Sequence, residues 1–362
     1  MKSTGLLDGS DHKICINSTN TNSRGATTAG VLKRSPTLQF VDKWRVGSGD
    51  YATVYNAIGK GQEGLPYIVA LKIVSYDKCE EYETDREDQE ICQRAHAIGS
   101  AHQHIPTLYL SEVDSKHAWF AMESVSGGTL FDAIEEYREK GYGGIEECTA
   151  VQIAYQLSTA LKFLHDRGVA HRDITSKNVL LRNKLKPNSL FKDDCADGRS
   201  VSTYRTSPKN VHAYLADFGD AMVIDPVDGD WISCENVGTY EYSPPQIDMK
   251  IPSDPRLNDV YALGALLYEM ICGENIIDST EMRVSEMIRA KFRGPLFDED
   301  EWCYVRKEIK DLVCAMLSGD DEKRPCMSSV VSNLGRLLNA TESELTADES
   351  PTTSSSKRRS SM

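Results

Sequence analysis

The stretch His171-Arg172-Asp173-Ile174-Thr175-Ser176-Lys177-Asn178, followed later by Asp217-Phe218-Gly219, gathers two carboxylates and a carboxamide of the kind that phosphate chemistry needs. A carboxylate such as Asp173 can accept the proton of an attacking hydroxyl. The side-chain oxygens of Asn178 and Asp217 are hard ligands of the type Mg²⁺ prefers. Upstream, Gly47-Ser48-Gly49-Asp50-Tyr51-Ala52-Thr53-Val54 would let backbone N–H groups approach phosphate oxygens closely. Read alone, that run is equally a hairpin turn. Val69-Ala70-Leu71-Lys72, eighteen residues beyond Val54, is equally a strand ending in a surface lysine.

The elements that must position these residues change character midway. From Leu38 to Met122 short β-prone runs dominate, at 38–46, 53–58, 67–74, 107–110 and 119–123. One acidic helical stretch, Glu80 to Ile98, interrupts them. After Gly127-Gly128 the pattern turns helical, with strong apolar periodicity over Val151 to His165 and Val260 to Cys272. The expected fold class is therefore α+β: a small antiparallel sheet with one helix, then a larger, mainly helical part. Residues 1–37 and 339–362 are rich in Ser and Thr and read as disordered arms. The second ends in Ser356-Lys357-Arg358-Arg359-Ser360-Ser361.

Composition narrows the function. The chain has 362 residues, 40% of them hydrophobic, which is enough for one large domain or two packed lobes. A formal charge of -14 argues against a nucleic-acid partner, which needs a basic face. No window of eighteen apolar residues exists and the first residues carry no apolar signal core, so a cytoplasmic protein with possible nuclear access is expected. Ten Cys without metal-ligand spacing are expected to be reduced thiols.

In order along the chain, these motifs resemble those of eukaryotic protein kinases, and the resemblance runs from about Phe40 to Leu337. It implies a two-lobed kinase domain over 38–338, with an N-lobe at 38–123, a C-lobe at 124–338 and a polar insertion at about 183–211. It implies ATP and Mg²⁺ as cofactors, protein substrates as partners and a monomer. Asp173 matches the catalytic base, Asn178 and Asp217 the metal ligands, and Lys72 the lysine that holds the α- and β-phosphates. Lys177 would neutralise charge on the transferred group. The ATP-binding set would be Val46, Gly47, Ser48, Gly49, Asp50, Tyr51, Ala52, Val54, Ala70, Lys72, Met122, Glu123, Val125 and Leu180. Lys72 needs an acid to orient it, and Glu83, Glu87 and Glu90 are available. Glu87 is favoured because the residue four positions on, Ile91, is apolar and could pack beside Phe218, whereas Glu90 would put Arg94 there.

The same resemblance assigns structural roles. Asp259, in Asn258-Asp259-Val260, would brace the catalytic loop backbone, and His171 would be packed and hydrogen-bonded. Arg172 suggests control by a phosphate on the segment from Asp217 to Gln246, with Ser233 as the phosphosite; in the insertion, Thr206-Ser207-Pro208 reads as an inert loop, with a proline-directed phosphosite as the alternative. Pro244-Pro245-Gln246 replaces the usual Ala-Pro-Glu, so Gln246 would meet Arg324 without charge assistance. Ala52 stands where a third Gly is usual.

Gly238-Thr239 resembles Ser/Thr kinases, in which the Thr hydroxyl bonds the catalytic Asp. Against it, Thr175 stands where those kinases carry a Lys, and Thr175-Ser176-Lys177-Asn178 looks like the tyrosine-kinase-like group. A Ser/Thr kinase is expected, with dual specificity as the alternative. A pseudokinase scaffold is the remaining one, and the presence of Lys72, Asp173, Asn178 and Asp217 speaks against it.

Overall fold

Alternating apolar residues before Glu123 build a five-stranded antiparallel sheet from β1 (Gln39–Ser48), β2 (Ala52–Lys60), β3 (Pro66–Ser75), β4 (Leu108–Val113) and β5 (His117–Glu123). The strand order is β1-β2-β3-β5-β4. The computed structural model describes residues 39–48, 52–60, 66–76, 86–113, 117–186, 211–224, 232–233, 235, 237–277, 282–297, 302–303 and 305–348. The expected arm at 1–37, residues 349–362 of the arm expected at 339–362, Gly49, Asp50, Tyr51, Glu83, Thr206-Ser207-Pro208 and most of the insertion lie outside the described residues. The chain divides into two compact units, one running to Gln93 and including Pro106–Ser124, the other formed by Arg94–Ile105 and the residues from Val125 onward.

In the first unit, register decides which side chains share a face. Val54 pairs with Lys72, Lys72 with Phe120, and Ala70 with Met122. Cross-strand partners point the same way, so Val54, Ala70, Lys72 and Met122 stand on one face. The opposite face buries Ala57, Val69, Leu71 and Ala121 together. On the Lys72 side, Val74, Leu108, Ala118 and Phe120 bury Cys92 of α1 (Arg86–Gly99). A second tie holds that helix: the Gln93 amide donates to Ser111 Oγ at 2.8 Å.

The second unit is mainly helical: α2 (Leu130–Glu139), α3 (Glu147–His165), α4 (Pro245–Asp248), α5 (Pro255–Cys272), α6 (Val284–Arg293), α7 (Lys307–Met316) and α8 (Met327–Asp348). α5 is apolar all round and therefore central; from Asn258 to Ile271 every residue is buried. Its ends follow from sequence. The Asp254 carboxylate accepts the Arg256 N–H at 2.9 Å, Pro255 takes the first helical position, and Gly273 closes the helix at φ +80°. α3 packs beside it with Val151, Ile153, Leu157, Leu161 and Leu164 fully buried. α8 continues past the boundary expected at 338 to Asp348. Among the described residues no helix is long and apolar enough to cross a membrane.

Short strands complete the second unit and carry the site. β6 (Val169–Ala170) pairs with β9 (Met222–Val223), and β7 (Val179–Leu181) pairs with β8 (Ala213–Leu215).

Candidate active site

The loop from His171 to Asn178 runs between β6 and β7 and is held from below by one buried carboxylate. Asp259, near the start of α5, accepts the backbone N–H groups of His171 at 2.9 Å and Arg172 at 2.8 Å, and meets His165 Nε2 at 2.8 Å. Arg172 can then adopt a left-handed conformation, φ +67°, which a residue with a side chain rarely takes without such support. The turn presents the next residue, Asp173. The expected bracing role of Asp259 is what the structure has.

Both carboxylate oxygens of Asp173 are fixed. Oδ1 accepts the Thr239 hydroxyl at 2.8 Å, and Oδ2 accepts the Asn178 amide at 2.5 Å. The Asn178 amide also donates to the Asp173 carbonyl at 3.0 Å. Its nitrogen is thus committed to Asp173, which leaves its carbonyl oxygen as the atom able to ligate. Gly238 lets Thr239 reach this position: at φ +94°, a Cβ on it would lie 2.5 Å from the Arg172 carbonyl oxygen.

Asp217 follows β8 and also has a left-handed backbone, φ +61°. Its Oδ1 accepts the Gly219 N–H at 3.0 Å. The Ala216 N–H donates to the Asn178 carbonyl at 2.9 Å, which joins the two metal-ligand candidates through the backbone. Phe218 is buried between two imidazoles, stacked on His96 at 4.9 Å and edge-on to His171 at 5.1 Å. The packed role expected for His171 agrees with this, and its Nε2–H donates to the Ala216 carbonyl at 3.2 Å. Next to these residues, the Asp220 carboxyl is held above its usual range, first by burial and then by the charges of Asp173 and Asp217.

Asn178 and Asp217 fit a Mg²⁺ ion. The donors are hard oxygens in a negative field. Among the described residues no three His, Cys, Asp or Glu side chains converge as a metal cage. Mg²⁺ commonly takes one or two protein oxygens and completes its shell with water and phosphate.

A second buried network lies under the loop, and the sequence reading missed it. Glu269, on α5, accepts Ser176 Oγ at 2.9 Å and the Tyr242 hydroxyl at 2.7 Å. Burial raises its carboxyl pKa, while those two bonds and the charge of Lys177 act the other way. It therefore ties the loop to the Gly238–Gln246 segment. Lys177 itself is exposed, with its ammonium 5.3 Å from the centre of the Phe131 ring, a cation–π contact on α2.

Further along, Gln246 Oε1 accepts Arg324 Nη2 at 2.6 Å, the bond expected for this pair. Ser233 lines the same small pocket as Arg172. Its backbone pairs both ways with Ser253 at 3.0 Å, and its hydroxyl accepts the Glu235 N–H at 3.2 Å. Glu235 is the residue whose carboxylate pairs with the Arg172 guanidinium.

In the first unit, the β2–β3–β5 register brings Val54, Ala70, Lys72 and Met122 together, with Ala52 at the end of the same face, paired with Val74. Val46 falls in the irregularity between Arg45 and Gly47 and is 60% exposed. The Glu123 N–H donates to the Thr107 carbonyl at 2.8 Å. Val125 belongs to the second unit, as does Leu180, which pairs with Tyr214.

The α1 residue stacked on Phe218 is His96. At about 100° per residue, Asp88 lies about 40° and Glu87 about 140° from Cys92, which faces the sheet; both acids are exposed, and Gln89, between them and Cys92 in sequence, is buried. Glu90 pairs with Arg86 at 2.8 Å.

Comparison with known proteins agrees with this geometry. A protein kinase domain model matches residues 40–334. A serine/threonine-protein kinase of Drosophila persimilis is 28% identical over 283 residues, covering 77% of this chain and 32% of that relative. One of Drosophila melanogaster is 28% identical over 282 residues with the same coverage. The serine/threonine-protein kinase PKZ1 of Phytophthora infestans is 26% identical over 309 residues, covering 83% of this chain and 71% of its own length. The chain thus spans about a third of the length of the Drosophila relatives that it matches. With a braced His171–Asn178 loop, an Asp217-Phe218-Gly219 turn and a domain match over most of its length, this chain belongs to the protein kinase family.

Proposed function

We propose that this chain transfers the γ-phosphoryl group of ATP to Ser and Thr hydroxyls of protein substrates, with Mg²⁺. The observation that carries the reading is the double anchoring of Asp173 by Thr239 and Asn178. Each carboxylate oxygen has two lone pairs, so one on each remains after these bonds. The acceptor hydroxyl would donate its proton to one of them as its oxygen attacks the γ-phosphorus. The bond from that phosphorus to the β,γ-bridging oxygen breaks, and ADP leaves. A positioned carboxylate in this role is worth about 10²–10⁴ in rate.

Mg²⁺, held by Asn178 Oδ1 and Asp217, would supply positive charge to the phosphate oxygens. Lys72 would hold the α- and β-phosphates. Val54, Ala70 and Met122, on the same sheet face as Lys72, would offer apolar contact to the base. The Ser/Thr preference rests on Thr239, whose hydroxyl occupies Asp173 Oδ1 beside the place an acceptor would take, and on the likeness to serine/threonine-protein kinases.

The test is phosphotransfer from labelled ATP, with Mg²⁺, to a degenerate peptide library containing Ser, Thr and Tyr. Label on Ser and Thr that disappears in Asp173→Asn, while nucleotide binding persists, is the expected result. Label on Tyr as well would move the reading to dual specificity. No transfer by the wild type would overturn it in favour of a nucleotide-binding scaffold.

A further inference from the structure

Arg172 immediately precedes Asp173, and its side chain is only 14% exposed. A guanidinium so placed needs an anion. Its Nε–H donates to the Asp220 carbonyl at 2.5 Å, and its Nη1 pairs with the carboxylate of Glu235, whose side chain is 61% exposed. Glu235 is in turn held by Ser233, whose backbone is pinned to Ser253 just before α5. Three ties therefore fix the span that ends at the catalytic Asp: Ser233 to Ser253, Glu235 to Arg172, and Thr239 to Asp173.

A phosphoryl group can order such a segment by giving a basic residue an anion to bind. Here an ordinary side chain of the segment already does so. We propose that Glu235 is a positioning residue: its carboxylate stands in for a phosphate, holding Arg172, and through it Asp173 and Thr239, in working geometry without any modification of the segment. This rests on the phosphotransfer reading above. Ser233 is then no required phosphosite, because its hydroxyl is used to shape the turn that delivers Glu235. A phosphate there would compete with Glu235 for the same arginine.

The experiment uses the full chain, treated with a phosphatase and verified by mass as unmodified. Wild type is expected to keep the activity of the untreated protein. Glu235→Gln is expected to lower kcat about fivefold, the scale of a solvent-exposed ion pair, with KM for ATP and Tm unchanged. Glu235→Asp is expected to restore part of the loss. Hydrogen exchange at 237–243 is expected to speed up in Glu235→Gln. An unmodified wild type that is inactive until phosphorylated would overturn the proposal, as would a Glu235→Gln variant with wild-type kcat. If no form transfers phosphate, the phosphotransfer reading has failed, and exchange decides the rest. Faster exchange in Glu235→Gln keeps the anchoring role, and unchanged exchange removes it.

Discussion

Gln246 meets Arg324 in the interior of the second unit, Oε1 to Nη2 at 2.6 Å, and its amide donates to the Gly319 carbonyl at 2.7 Å. Arg324 is 5% exposed, and its other bonds go to neutral groups: the carbonyls of Ser318 and Leu257 and the side chain of Asn258. Burial pushes its pKa down to about 10. A buried cation with neutral partners depends on each of them, and a bond to a charged group is worth about 1.5–3 kcal/mol. Gln246→Ala is expected to lose about that much stability in urea unfolding. Gln246→Glu is expected to raise Tm, since the carboxylate gains charge assistance from Arg324 that outweighs the lost donor to Gly319. A Tm below wild type in Gln246→Glu would mean that the Gly319 bond matters more than the charge.

The phase of α1 separates two acids next to each other in sequence. Cys92 is buried against Val74, Leu108 and Phe120 on the Lys72 side of the sheet; by helical geometry the exposed Asp88 lies about 40° from Cys92, with the buried Gln89 next to it. Glu87 lies about 140° from Cys92 round the helix, and both acids are exposed. Asp88→Asn is expected to cut kcat at least tenfold, and Glu87→Gln less than twofold, in assays at saturating ATP. The reverse ranking would favour Glu87 over Asp88.

What the sequence made legible divides along physical lines. The His171–Asn178 loop and the Asp217 turn are contiguous strings, so their chemistry survives without knowledge of the fold. The shared face of Val54, Ala70, Lys72 and Met122 follows from alternation once strands are assigned. The α1 phase was hidden because Glu87, Asp88 and Glu90 crowd one turn and blur any polar stripe. Glu235 and Lys291 were hidden for another reason. Each meets its partner across a long separation, 63 residues from Arg172 and 43 from Asp248, and nothing local marks either as special. Lys291 even sits in a basic run, Lys291-Phe292-Arg293, that reads as a solvated helix end.

Lys291 is instead fully buried. Its three ammonium protons go to the Tyr240 carbonyl at 2.9 Å, Ser243 Oγ at 3.1 Å and Asp248 Oδ2 at 2.5 Å. Burial lowers its pKa although Asp248 opposes this. Removing one member of such a pair strands the other, at a cost of about 3–5 kcal/mol. Lys291→Met is expected to lose that much in denaturant unfolding, and adding Asp248→Leu to recover at least half. If the double variant is no more stable than the single one, the loss comes from freeing the Tyr240 carbonyl rather than from the stranded charge.

His104 makes stability depend on acid. It is 6% exposed, and its Nδ1–H donates to the Ala213 carbonyl at 2.9 Å. Burial is the main cause of a pKa pushed down from 6.5 to about 4; the Ala213 bond opposes it, while His212, His102 and Arg182 nearby add to it. Between those two values the unfolded chain binds a proton at this site and the folded chain does not, so stability rises with pH across the window and is lost as pH falls through it. Thermal unfolding is expected to show Tm falling from pH 6.5 to pH 4, with a shallower fall in His104→Gln, whose amide can still donate to Ala213. Equal slopes for the two proteins would assign the acid sensitivity to other groups.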